Sequence, residues 1–347
     1  MRYTHVRLAG LGHTLPDEVV ASSELESRLA PLYQRLRLPE GRLELMSGIR
    51  ERRFFVVGAR PSDLSVPSAR RAIEASSLAP SDFGCLIHGS VCRDFLEPAT
   101  ACRVHHELGL PAECLAFDVS NACLGVMTGV AIIASMIEQG QIAAGVAVGS
   151  ELGRGLVENS IARLNSDESI TRESLKPWFA SLTIGSASVA VVLCHEDLLA
   201  KRGPGLAARL VSSTAHAATE SHHLCQSEGL AEVMQTDSEA LMRAGIDAGA
   251  TTFQRFLAES EWSCDQIDKT VCHQVGGAHR QMMLDRLGLS PERDFATLQW
   301  LGNTGAAALP VSLALGAEEG WFQTGDRVGL LGIGSGVNCL MMGVEWS

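Results

Sequence analysis

Short apolar runs of buried-strand length recur along the whole chain, and stretches with helical periodicity fill the gaps between them. The runs fall at residues 6–9, 86–91, 115–119, 143–148, 189–194, 270–272 and 328–333. Among the intervening stretches, 68–77 opens with a capping-type serine and 124–139 is apolar on nearly every face. The stretch 238–259 sets Leu241, Ala244, Ala248 and Phe256 on one stripe. This alternation restricts the chain to an α/β layered fold.

A chain of 347 residues is longer than most single cores. The strongest internal boundary is 198–205, because its Gly-Pro-Gly at 203–205 continues neither a helix nor a central strand. Two halves are therefore expected, 1–200 and 201–347, each with strands, a long helix and a reactive motif. No residue-level repeat is visible, so duplication rests on pattern alone. The polar, mixed-charge segment 156–176 reads as an inserted excursion placed to cover a pocket.

Hydrophobic residues make up 46% and charged residues 20% of the sequence, which suits a globular protein with a large core. A net charge of −12 argues against a nucleic-acid partner, which needs clustered Lys and Arg. Arg50, Arg52 and Arg53 read either as a solvated loop face or as a contact for a phosphate-bearing ligand. The ten cysteines lie mostly in apolar, strand-like settings, as at Cys85, Cys194 and Cys272, so free buried thiols are expected in place of a disulfide framework. Cys123, His105 and His106 lack metal-ligand spacing, and no metal is expected. The first residues alternate like a strand and contain no signal-peptide core, and no run reaches the roughly 18 apolar residues of a membrane span. A cytoplasmic location follows as an expectation.

Three motifs carry chemistry. Cys123 lies in Asp118-Val-Ser-Asn-Ala-Cys-Leu-Gly125, after a strand and before an apolar helix, where backbone N–H groups and the helix dipole favour a thiolate. The plain alternative is a structural core cysteine. Gly125 and Gly129 favour function, since small residues let another helix or a ligand tail approach the backbone. His273, in His273-Gln-Val-Gly276, closes a strand-like run, where α/β sites gather. Asn303 stands in Gly302-Asn-Thr-Gly305, a setting that by itself also fits ordinary turn chemistry. A thiol, an imidazole and a carboxamide together supply a nucleophile and two hydrogen-bond donors for thioester carbon–carbon chemistry.

Taken together, Ala-Cys-x-Gly, His-Gln-x-Gly 150 residues later and Gly-Asn-Thr-Gly-Ala 30 residues after that resemble the thiolase superfamily, type III ketoacyl synthase branch. The resemblance spans essentially the whole chain and implies a layered α-β-α-β-α fold of two similar halves. The terminal Leu331-Gly-Ile-Gly-Ser-Gly336 resembles that branch's glycine-rich strand end, which implies an oxyanion hole from the backbone N–H groups of Cys123 and Ser335. Ser90-Val-Cys-Arg-Asp-Phe-Leu-Glu-Pro-Ala-Thr100 points more closely to the OleA-like enzymes of head-to-head olefin and β-lactone biosynthesis. There the resemblance implies that Glu97 crosses into the partner subunit of a homodimer and removes the α-proton of a second acyl-CoA. Read alone, Glu97 is a surface-loop carboxylate before a proline; in an apolar channel it would be a stronger base.

Thr183-Ile-Gly-Ser-Ala187 replaces the Phe-Gly-Asp-Gly-Ala of fatty-acid-synthesis type III enzymes, and Gly276-Gly277 replaces bulkier residues of the olefin-type enzymes, implying a different acyl channel. The implied activity is non-decarboxylative Claisen condensation of two acyl-CoAs through an acyl-Cys123 intermediate, without a cofactor. The product would be a 2-alkyl-3-ketoacyl thioester, hydrolysed to a β-keto acid. The alternatives are a decarboxylative 3-oxoacyl synthase III or starter-unit acyltransferase using acyl carrier protein, a cysteine hydrolase or thioesterase, and a non-enzymatic partner subunit. His216, His222 and His223 lie in a polar stretch and are assigned no chemistry. Trp178, Trp262, Trp300 and Trp321 are explained by packing.

Overall fold

The computed structural model describes residues 1–202, 206–228 and 233–347. The Gly-Pro-Gly boundary at 203–205 lies outside the described residues. Nine strands form one sheet: β1 (Val6–Thr14), β2 (Phe83–Gly89), β3 (Leu115–Val119), β4 (Ala144–Glu151), β5 (Ala187–His195), β6 (Ala208–Ala217), β7 (Lys269–Cys272), β8 (Arg327–Gly334) and β9 (Asn338–Glu345). Their order is β7-β8-β9-β6-β1-β5-β4-β2-β3. From the centre outward, β1 pairs antiparallel with β5, β5 antiparallel with β4, and β4 parallel with β2. The other side repeats these directions through β6, β9, β8 and β7. The two sides are joined through the pairs Arg7 with Arg209 and Leu8 with Ala208, and through the bridge of Arg2 with Ser212.

The helices that matter for the site are α1 (Pro61–Ser76), α2 (Thr100–Leu108), α3 (Gly125–Glu138), α4 (Arg154–Ser166), α5 (Ser238–Ser260), α6 (Gly277–Leu287) and α7 (Ala308–Glu318). Side chains alternate across a strand, so each strand feeds two layers. Val189, Val191 and Leu193 of β5 meet Val126 and Ile133 of α3 and Val311 and Leu313 of α7 in one core. Ala190, Val192 and Cys194 meet Ala69 and Ala72 of α1 and Val104 of α2 on the opposite face. In the other half, Leu340 and Met342 of β9 face the shared core, while Met341 faces Phe253 and Phe256 of α5 and Leu284 of α6. The result is five layers, with α3 and α7 between the two sheet halves. That position explains why both helices are apolar on nearly every side.

The structure differs from the sequence reading at several elements. α1 starts at Pro61, not at Ser68: proline suits the first helical turn, and the Asp63 carboxylate accepts the Arg60 N–H at 3.0 Å. Ser68 instead sits inside the helix, 2.8 Å from the Ser188 hydroxyl. The mixed-charge segment after residue 156 lies largely in α4, which joins the helices of 22–47 and the turn Lys176–Thr183 around a small separate core. Arg52 is fully buried, donating to Ser22 Oγ and the Leu182 carbonyl. Arg53 donates to the Pro16 carbonyl and lies over the Trp300 ring. Neither is a solvated face or a free phosphate contact. Of the three arginines, only Arg50 stands exposed.

Candidate active site

The position of Cys123 is set by backbone packing. After β3 the chain reverses through Ala122, whose φ of 43° is left-handed, then makes the short turn Ala122–Leu124 and enters α3 at Gly125. A methyl group on Gly125 would lie 2.8 Å from the carbonyl carbon of Gly89, and one on Gly89 would lie 2.3 Å from the oxygen of Gly125. Only two glycines allow the head of α3 to rest this closely on the end of β2. Gly129 meets the side chains of Ile87 and Ala147. What these small residues admit is therefore the sheet beneath, not a second helix or a ligand tail.

Gly334, at the end of β8, faces Cys123: a methyl there would lie 3.5 Å from its N and 3.6 Å from its Cβ. The backbone N–H groups of Ser335 and of Cys123 itself favour the anion of Sγ. Burial, reinforced by the nearby Glu151 and Cys225, nevertheless pushes the thiol up to about 12. Cys123 thus rests as a thiol, contrary to the expectation from its place at a helix head. Dehydration of the sulfur outweighs the dipole and the two N–H groups.

The backbone N–H of His273 donates to the Leu331 carbonyl at 2.9 Å, extending β7 along β8. Both ring nitrogens are buried and have no partner among the described residues. Burial, and then His279, lower its pKa to about 4, so the ring is neutral and offers one N–H and one lone pair. An unpaired buried polar group is costly, and here it marks a place for a ligand atom.

Asn303 is held from two sides. Gly302 precedes it at φ 69°, ψ −165°, a conformation essentially restricted to glycine, and a methyl there would lie 2.8 Å from the Thr183 carbonyl oxygen. The Asn303 N–H donates to that carbonyl, and its own carbonyl accepts the Gly185 N–H, each at 2.9 Å. Asn303 Oδ1 accepts the Gly305 N–H at 3.0 Å, which turns the side-chain NH2 the other way. The segment Thr183–Ala187, singled out in the sequence as a departure, is thus the clamp for this asparagine.

The turn Ala122–Leu124 packs against both β8 and the turn Gly305–Ala307. Cys123 therefore shares one end of the sheet with the strand that holds His273 and the loop that holds Asn303. The sequence reading missed Glu151, which joins these parts. Its carboxylate is 6% exposed and accepts N–H groups from Val91 at 2.9 Å, Cys92 at 3.4 Å and Ala306 at 3.3 Å. Burial raises its pKa. A carboxylate at the end of an apolar strand, in Val148-Gly-Ser-Glu151, was the signal available. Cys225, whose Sγ lies 3.3 Å from both Ser335 Oγ and Thr236 Oγ1, was also missed.

Glu97 is exposed in the loop after β2, together with Phe95 at 49% and Leu96 at 92% exposure. It is not gathered with Cys123 in its own chain. On the face of α3 beside the turn that carries Cys123 runs a groove of about 630 Å³, lined by Asn121, Thr128, Ile132, Met136, His216 and Asn338, among others. Among the described residues no group of three or more His, Cys, Asp and Glu could hold a metal, and no helix is long and apolar enough to cross a membrane.

Comparison with known proteins places this geometry. Residues 55–154 match the thiolase N-terminal domain, and residues 257–346 match the C-terminal region of 3-oxoacyl-[acyl-carrier-protein] synthase III. An acyl-CoA:acyl-CoA alkyltransferase of Shewanella oneidensis is 41% identical, with both chains covered completely. The chain belongs to the acyl-CoA:acyl-CoA alkyltransferase family. Another member, from Xanthomonas campestris, is 34% identical over both full lengths. The crystal structure of an OleA variant from X. campestris matches with a TM-score of 0.94 at 33% identity, covering 100% of this chain and 98% of that one. Solved OleA forms include substitutions of a cysteine, a glutamate and a histidine, and one bound to cerulenin. A 3-oxoacyl-(acyl carrier protein) synthase III from Xanthomonas oryzae matches equally, with a TM-score of 0.94 and 33% identity. The five layers are therefore a thiolase-like α/β fold, and overall shape does not separate the two chemistries.

Proposed function

We propose that this alkyltransferase-family chain is an acyltransferase that joins two acyl-CoAs by Claisen condensation without loss of carbon dioxide. The observation that carries the reading is a neutral imidazole with both nitrogens unpaired, set at the same sheet end as a buried thiol whose anion the N–H groups of Ser335 and Cys123 favour. In the first half-reaction Cys123 Sγ attacks an acyl-CoA, the N–H groups of Cys123 and Ser335 bind the oxyanion, and the thiol proton leaves with CoA. In the second, the His273 N–H and the Asn303 NH2 hold the carbonyl oxygen of another acyl-CoA as it becomes an enolate. Glu97 of the partner subunit takes the α-proton, the carbanion attacks the acyl-enzyme, and Cys123 leaves with a proton. The 2-alkyl-3-ketoacyl thioester is then hydrolysed to a β-keto acid. Each step uses only side chains, backbone, thioesters and, for the hydrolysis, water, so no cofactor is required.

A homodimer is part of this reading. β3 is paired on one side only and its Leu115 is 52% exposed, which leaves an edge for a second copy. The exposed Phe95–Glu97 loop and the groove beside Asn121 are of the kind that would meet across such an interface. We also assign the chain to the cytoplasm and divide it into halves 1–200 and 201–347, a division the repeated strand directions support.

The test supplies two acyl-CoAs without a malonyl donor, and a parallel reaction adds a malonyl thioester. Glu97→Ala should still acylate Cys123, seen as an adduct by intact mass, and should lose condensation. Unimpaired condensation would remove Glu97 as the base, and product formed only with malonyl thioesters would favour the decarboxylating synthase.

A further inference from the structure

The motif His273-Gln-Val-Gly276 contains a residue that the chemistry above does not use. Gln274 is 1% exposed and follows the residue with the unpaired imidazole in sequence. Burying a carboxamide is unfavourable unless its hydrogen bonds are made, and this one makes them on both sides. Its Oε1 accepts the N–H groups of Thr297 at 2.9 Å and Leu298 at 2.7 Å. Its Nε2 donates to the Phe295 carbonyl at 3.1 Å and lies 3.4 Å from Ser312 Oγ.

These partners flank Asn303. Thr297 and Leu298 open the single turn Leu298–Leu301, whose end is Gly302, the residue before Asn303. That turn has no side-chain cap of its own, so Gln274 supplies one from another segment. Ser312 belongs to α7, which follows Asn303, and its hydroxyl lies 2.8 Å from Thr297 Oγ1. One amide thus connects the residue after His273 to the chain before and after Asn303.

We propose that Gln274 is a positioning residue that fixes the spacing between the His273 and Asn303 donors, and hence the site that receives the enolate oxygen of the second acyl-CoA. The inference rests on the condensing reading for the roles of His273 and Asn303. Two other anchors keep the loop folded without Gln274. Asp294 binds the Thr270 hydroxyl and the Cys272 N–H, and the backbone of Asn303 is clamped by Thr183 and Gly185. What the amide adds is register between the two donors. Neither obvious replacement reproduces it: methionine leaves the Thr297 and Leu298 N–H groups unpaired, and glutamate keeps those acceptors but loses the donors and sets a charge beside His273.

The experiment separates the half-reactions in Gln274→Met and Gln274→Glu, using full-length protein with acyl-CoA. For Gln274→Met, acylation of Cys123 should stay within about twofold of the parent while condensation falls on the order of 100-fold, the effect of a misplacement of about 1 Å. Its melting temperature is recorded alongside. For Gln274→Glu, the carboxylate favours the imidazolium of His273, so condensation should acquire an acid limb that the parent lacks between pH 5 and 7. Unchanged condensation in a folded Gln274→Met protein, or equal loss of both half-reactions, would overturn the proposal. If that variant does not fold, a Gln274→Glu profile that matches the parent would overturn it. A parent that couples only malonyl thioesters would refute the non-decarboxylative reading, not this one, because the same two donors would then hold the malonyl-derived enolate and the same split is read with that donor.

Discussion

At Cys123 two influences on the thiol oppose each other. A helix head and two N–H groups favour the anion, by about 0.3–1 kcal/mol for the dipole at an exposed terminus. A pKa of about 12 against an ordinary thiol near 9 corresponds to roughly 4 kcal/mol in the other direction. Burial is the first cause and Glu151 the second, so the carboxylate has a measurable consequence. An anion beside the sulfur opposes a second one; Glu151→Gln should therefore move the pH midpoint for iodoacetamide alkylation of Cys123 downward. An unmoved midpoint would mean that the field of Glu151 does not reach the sulfur. The motif made Cys123, His273 and Asn303 legible in the sequence. Glu151 was not, because its role comes from three backbone N–H groups supplied by segments far apart in the chain.

At the scale of elements, the site depends on how closely α3 rests on β2. Gly125→Ala places a methyl against the Gly89 backbone, which cannot rotate away as a side chain would. The expected result is destabilisation of about 1–3 kcal/mol, with slower acylation of Cys123, checked by urea unfolding and by the rate of adduct formation in intact mass. Normal acylation at parental stability would show that the head of α3 has room. Strands β1–β5, β7 and β8 were visible as apolar runs because they lie between layers, although most extend one to five residues further than those runs. β6 and β9 were not anticipated. β6 hides its burial behind Ser212, Ser213 and Thr214, all nearly inaccessible, and β9 carries Met341 and Met342 toward opposite layers. Neither composition nor strict alternation marks such strands.

Over the whole molecule, buried imidazoles act on the acid side of the stability curve, His279 among them. His88 and His273 are buried and titrate near 4, against about 6.5 in an unfolded chain. Between those values the unfolded state binds protons that the native state does not, so their contribution falls as the pH drops from about 6.5 to 4 and is constant below. Glu151 and Asp294, held above the ordinary carboxylate range by burial, add a slope of opposite sign. The histidine contribution is therefore read as a difference: the urea midpoint of His88→Met should fall less than the parent's between pH 7 and 5, and equal falls would contradict it. The proposed exchange of Glu97 also belongs to this scale. Cys123→Ala and Glu97→Ala dimers should each be inactive, and equal mixing should restore about a quarter of parental condensation, since half the dimers then hold one complete site. No recovery after verified subunit exchange would place Glu97 in its own chain's site.

Residue order alone determined the layered α/β class and the thiol, imidazole and carboxamide at their spacings. These follow from periodicity and short motifs, which are local properties of a chain. Folding decided the protonation of Cys123 and His273, the burial of Arg52, and the hubs at Glu151 and Gln274. Each of these depends on which distant groups displace water around a polar atom, and that is settled only when the layers close.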